Sequence, residues 1–64
     1  DQMNRLKEYR KKFDMKRSYL SDKLGITERY VYYIESNKRT PSLYLAKKIS
    51  GFFEVQIEDI FFDF

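Results

Sequence analysis

Apolar residues recur along this chain at intervals of three and four, with charged residues between them, and that spacing is helical. Leu6, Tyr9, Arg10 and Phe13 fall at i, i+3, i+4 and i+7, which predicts a first helix over about residues 4–12. Asp14 follows, where a left-handed residue would end the helix. Leu20 and Leu24 point inward from a second helix, residues 17–24, which opens on Lys16, a poor cap, and closes on Gly25. Thr27 is a good N-cap for a third helix, residues 28–36, with Val31 and Ile34 inward. A loop over residues 37–41 leads to Ser42, which caps a fourth helix running to about residue 50 and carrying Leu45, Ala46 and Ile49. A short fifth helix, about residues 56–61, carries Ile57, Ile60 and Phe61. The tail, Phe62, Asp63 and Phe64, is open to an extended conformation. No segment alternates with period two for long enough to demand a strand. The expected fold is all-α, a compact five-helix bundle forming one domain over residues 1–64.

Composition narrows the chemistry. With no cysteine and no histidine, disulfides, thiolate metal sites and the commonest general base are all excluded. No metal-ligand cluster or glycine-rich phosphate loop is present either, so a catalytic role and a cofactor are not expected. A domain of 64 residues is marginal by itself, which leaves a dense core, a partner chain, or both. No apolar run reaches the roughly 18–20 residues of a membrane span, so no membrane partner is expected and a cytoplasmic location is. The net charge is +3, but its distribution is uneven: net +5 over residues 1–40 and net −2 over residues 41–64. A basic front half suits a polyanion surface, and equally a solvated helix face.

Residues 17–36 read as helix, turn, helix. Two helices crossing through so short a turn must approach closely. Ser21 is the small residue that this requires, Gly25 accepts a turn conformation that a Cβ would penalise, and Val31 plugs the core between the helices. That pattern alone is weak. The match extends further, through Leu6-Lys7-Glu8-Tyr9-Arg10, Leu20-Ser21-Asp22-Lys23-Leu24-Gly25-Ile26-Thr27, Val31, Ile34-Glu35 and Lys38-Arg39-Thr40-Pro41-Ser42-Leu43. It continues through Leu45-Ala46-Lys47-Lys48-Ile49 and Val55-Gln56-Ile57-Glu58-Asp59-Ile60-Phe61. Over about residues 4–61 the chain resembles the Xre/Cro-type, phage-repressor-like helix-turn-helix regulators. The resemblance implies a lambda-repressor-like fold of five helices, dimeric binding to operator DNA, control of transcription, and a bacterial or phage-encoded, nucleoid-associated protein. Departures fall at Lys16-Arg17, where the family usually has Thr-Gln, at Ser36-Asn37, where it has Asn-Gly, and at Asp14, where it has Gly.

In this motif the second helix of the pair lies in the major groove and its N-terminal residues meet base edges. An angular reading of the third helix sends Thr27, Val31 and Ile34 inward, and Arg29, Tyr32, Tyr33 and Ser36 outward. Tyr30 flanks the core and Glu28 sits on the exposed shoulder. Arg29 can bind guanine O6 and N7 bidentately and Glu28 can accept from cytosine N4. Tyr32 and Tyr33 offer rings, and Tyr33 also a thymine-methyl contact and a hydroxyl. The expected base readers are therefore Glu28, Arg29, Tyr32 and Tyr33. Expected phosphate contacts are Arg17, Ser36, Asn37, Lys38 and Arg39, at the two ends of the helix pair. Arg10 and Glu35 are expected, from the resemblance, to pair structurally.

Phe52, Phe53, Phe61, Phe62 and Phe64 crowd the C-terminal third, more rings than one small core is expected to hide. A homodimer through about residues 52–64, chiefly Phe52, Phe62 and Phe64, would use them. The expected function is thus sequence-specific binding of double-stranded DNA at a near-palindromic operator, as a repressor. The alternative is a protein-interaction adaptor or antitoxin-like module that uses the aromatic surface. RNA binding ranks third, because the signatures of common RNA modules are absent. A protein antagonist is one open route of control.

Overall fold

The computed structural model describes residues 4–62. Five helices follow in order: α1 Leu6–Lys12, α2 Arg17–Leu24, α3 Glu28–Glu35, α4 Leu43–Phe53 and α5 Ile57–Ile60. Among the described residues the only extended pairing is an isolated antiparallel bridge between Asn4 and Phe61. The all-α expectation is met.

The helix ends follow from local chemistry. Asp14 is left-handed at φ 56°, and Met15 N donates back to Arg10 O at 2.9 Å, which closes α1. Lys16 gives α2 no side-chain cap. Gly25 is left-handed at φ 73°, and Ile26 N reaches Ser21 O at 3.0 Å. A Cβ at Gly25 would meet only Lys48 Nζ, at 3.9 Å, so conformation rather than space selects glycine there. Lys48 Nζ also donates to Leu24 O at 3.1 Å, placing a cation on the C-terminal end of α2. Thr27 Oγ1 accepts from Tyr30 N at 3.0 Å and Ser42 Oγ from Leu45 N at 3.1 Å, each satisfying one orphan donor of its helix. Thr27 is exposed rather than inward, because an N-cap turns its side chain to the helix end.

Boundaries of four helices differ from the sequence reading, that of α3 only in ending at Glu35 rather than Ser36. Helix α1 begins at Leu6 rather than Asn4, whose amide is used elsewhere. Helix α4 does not stop before Gly51 but runs to Phe53, and the left-handed stop is Glu54 at φ 58°. Packing decides this: Leu45, Ala46, Ile49 and Phe53 lie on one buried face, and ending at residue 50 would withdraw Phe53 from it. Burying a phenylalanine is worth roughly 2–3 kcal/mol, more than the roughly 1 kcal/mol of a non-glycine left-handed residue. Helix α5 is one turn, braced where Asp59 Oδ2 accepts from Gln56 N at 2.8 Å, and Phe61 beyond it is extended.

The core is Leu6, Leu20, Leu24, Val31, Ile34, Leu45, Ala46, Ile49, Phe53, Ile60 and Phe61. Helix α2 packs on α3, α1 on α3, and α4 on α5. Phe53 gathers three rings: Tyr9 at 5.6 Å, Phe13 stacked at 5.8 Å, and Phe52 edge-on at 5.1 Å. Phe53 and Phe61 are thus hidden, Phe52 is half-buried against the core, and Phe62 is exposed. Phe64, named above as a dimer residue, lies outside the described residues, as does most of the tail.

Candidate nucleic-acid interface

The site rests on a buried charge cluster. Arg10 Nε donates to Glu35 Oε2 at 2.6 Å and Arg10 Nη2 to Glu35 Oε1 at 3.3 Å, a forked pair that ties α1 to the last residue of α3. Arg10 Nη1 donates to Met15 O at 2.8 Å. Both side chains are more than nine-tenths buried. A second cation joins them: Arg17 Nε donates to Glu35 Oε1 at 3.2 Å from the first residue of α2. Arg17 is also half-turned to solvent, and its guanidinium lies 5.2 Å above the ring of Tyr32.

Helix α3 presents Glu28, Arg29 and Tyr32 to solvent, and holds Tyr30 and Tyr33 half-buried. The rings of Tyr32 and Tyr33 are 6.1 Å apart. Thr27, Arg29, Tyr30, Tyr33 and Arg39 line one open depression, so two arginines from different elements meet beside Tyr33. Lys38 and Arg39 are exposed and form no ion pair among the described residues. Their backbone is held: Lys38 N and Arg39 N both donate to Tyr33 O, at 2.8 and 3.2 Å. The structure therefore brings Arg17, Arg29, Tyr32, Tyr33 and Arg39 together around α3.

Two of the polar residues at the end of α3 are engaged. Ser36 Oγ donates to Tyr32 O at 2.8 Å, so its one proton is committed inside the helix and only its lone pairs face outward. Asn37 is left-handed at φ 64°, and its Oδ1 accepts from Asn4 Nδ2 at 3.0 Å.

Asn4 is the residue that sequence reasoning missed. It is buried; its Nδ2 also donates to Ile34 O at 2.9 Å, and its Oδ1 accepts from Leu6 N at 3.0 Å. Next to it, Arg5 N donates to Ile60 O at 2.7 Å. One amide thus fastens the N-terminal segment to the end of α3 and positions the turn that leads to Lys38. No local pattern marks it, because the two acceptors of its Nδ2 are thirty or more residues away.

A small residue and a left-handed glycine between two crossing helices, with a solvent-facing second helix flanked by cations, define a helix-turn-helix domain. The chain belongs to the Xre/Cro-type helix-turn-helix family of DNA-binding transcriptional regulators: the family model for helix-turn-helix domains matches residues 6–60. It is 47% identical over 58 residues to an uncharacterised HTH-type transcriptional regulator of Methanocaldococcus jannaschii, covering 91% of this chain and 88% of that protein. It is 42% identical over 57 residues to another from Archaeoglobus fulgidus, covering 89% of this chain and 80% of the relative. A third, from Bacillus subtilis, is 38% identical over 58 residues, covering 91% of this chain and 88% of the relative.

Proposed function

We propose that this chain is a sequence-specific repressor that binds a near-palindromic duplex site as a homodimer, with α3 in the major groove. The observation that carries it is the surface built around α3. Arg29 and the tyrosine pair stand at its centre, where base edges would lie. Arg17 flanks it beside Tyr32 and Glu35, and Arg39 beside Arg29 and Tyr33 with Lys38 next in the chain, where phosphates would pass. Arg29 is assigned to guanine, Glu28 to cytosine N4, and Tyr32 and Tyr33 to base edges and thymine methyls. Arg17, Asn37, Lys38 and Arg39 contact phosphate; Ser36 joins them only by releasing Tyr32 O and donating its hydroxyl, since a phosphodiester oxygen only accepts. Repression follows from occupancy, since a dimer seated on its site excludes other proteins from it. Such a protein works where the DNA is, in the cytoplasm; no helix of the described residues is long and apolar enough to cross a membrane.

Phe62 supports the dimer assignment. It is 45% exposed, carries the guanidinium of Arg5 5.1 Å above its ring, and follows directly on the buried Phe61. A second copy would cover that ring and set two copies of α3 about 34–36 Å apart, one turn of DNA. Phe62→Asp is expected to sediment as a monomer with its helix content intact. Sedimentation as the same dimer as the parent would refute this interface.

The DNA reading is tested by titrating mixed-sequence duplex at two salt concentrations. Three phosphate-facing cations per protomer predict a fall in affinity of about a thousandfold between roughly 50 and 200 mM salt. A chain that stays folded and binds no duplex at low salt would instead be a protein-interaction adaptor.

A further inference from the structure

We propose that Arg17 is a specificity-determining positioning residue: it holds the ring of Tyr32 in place on the outward face of α3, and so sets one position of the DNA site without reading a base itself. This rests on the reading of α3 as the base-reading helix.

Five groups lie in series. Arg10 fixes the carboxylate of Glu35 at 2.6 Å, and both are buried. Glu35 Oε1 takes Arg17 Nε at 3.2 Å. The Arg17 guanidinium lies 5.2 Å from the centroid of Tyr32, and the Tyr32 ring stands 6.1 Å from that of Tyr33. Tyr32 is 44% exposed, and an aromatic ring so open on a helix would exchange rotamers unless something held it. Arg17 is suited to that task. Its planar group binds a carboxylate along one edge while its face rests on a ring, which the compact ammonium of lysine cannot do. The orientation of Tyr32 is therefore inherited from a buried, doubly hydrogen-bonded ion pair.

Arg17 Nη1 and Nη2 make no hydrogen bond among the described residues, so the same side chain still presents its charge to a phosphate. The two roles separate experimentally. A phosphate contact acts alike on every sequence, whereas a held ring acts at the base position it faces. Arg17→Lys keeps the charge and loses the planar guanidinium over the ring. It leaves the Arg10–Glu35 pair in place, so the fold is retained.

The test is selection from a random duplex library with the parent chain, Arg17→Lys, Tyr32→Ala and the double variant. Arg17→Lys is expected to keep the salt dependence of the parent and to flatten the same site position that Tyr32→Ala flattens. On the parent's preferred site, the two changes are expected to couple by about two- to fivefold, the range of a cation–π contact at an exposed position. A uniform loss across all sequences, or strictly additive effects, would overturn the proposal. If the parent enriches no site, the functional reading fails and this proposal with it. Ring-current shifts in the free chain distinguish the failures. Upfield-shifted Arg17 δ protons that return to ordinary values in Tyr32→Ala establish the contact without DNA. Unshifted protons in the parent overturn the proposal alone.

Discussion

Glu35→Ala is expected to leave the chain largely unfolded at physiological temperature. The carboxylate is 3% exposed and takes three hydrogen bonds, from Arg10 Nε, Arg10 Nη2 and Arg17 Nε. Arg17 can turn outward when the carboxylate is gone. Arg10 cannot: its side chain is 8% exposed, and its remaining bond is to Met15 O. Removing one partner of a buried pair costs about 3–5 kcal/mol, because a desolvated charge is left uncompensated. Natural domains are stable by about 0.05–0.15 kcal/mol per residue, roughly 3–10 kcal/mol for a chain this short, so this one loss takes about a third of the total or more. The melting temperature read by circular dichroism should fall by on the order of 20 °C. Arg10→Met combined with Glu35→Leu removes both charges at similar volume and should recover most of the loss. A Glu35→Ala chain that melts with the parent would show that the pair does not stabilise the fold.

Arg29→Ala has the opposite signature. Arg29 is exposed and makes no ion pair among the described residues, so its loss should change stability by no more than about 0.5 kcal/mol. The bidentate contact to guanine proposed for it would be worth about 1–3 kcal/mol per half-site, and a two-fold dimer would make it twice. Affinity for the preferred site should therefore fall by about two orders of magnitude or more. Preference at one base position should relax in each half-site, and the salt slope should stay that of the parent. Uniform weakening on every sequence, with a salt slope lower by about one, would move Arg29 from the bases to the phosphates.

Much of this fold was legible in the chain, and the exceptions have a common cause. Gly25, Thr27 and Ser42 act on neighbours within a few residues, so the boundaries of α2 and the starts of α3 and α4 could be read directly. The left-handed stop at Asp14 was equally local. The end of α4 was misread because Gly51 suggests a break, while the deciding fact is the burial of Phe53 against Tyr9 and Phe13, forty or more residues earlier. Of the rings expected at an interface, Phe52 is half-buried against the core and Phe62 is exposed. At the site, the outward face of α3 followed from helical periodicity. Not legible were Asn4, whose amide bridges to Ile34 and Asn37, and the attachment of Arg17 to both Glu35 and Tyr32. Periodicity assigns a side chain to a face; it does not say which long-range partner will meet it there.

Selection of the purified parent chain from a random duplex library shows whether α3 reads sequence in a two-fold arrangement. Two copies of α3 one DNA turn apart would enrich a symmetric site whose half-sites lie about 10–10.5 bp apart. A folded chain that enriches no sequence, or only an unpaired half-site, would contradict that arrangement.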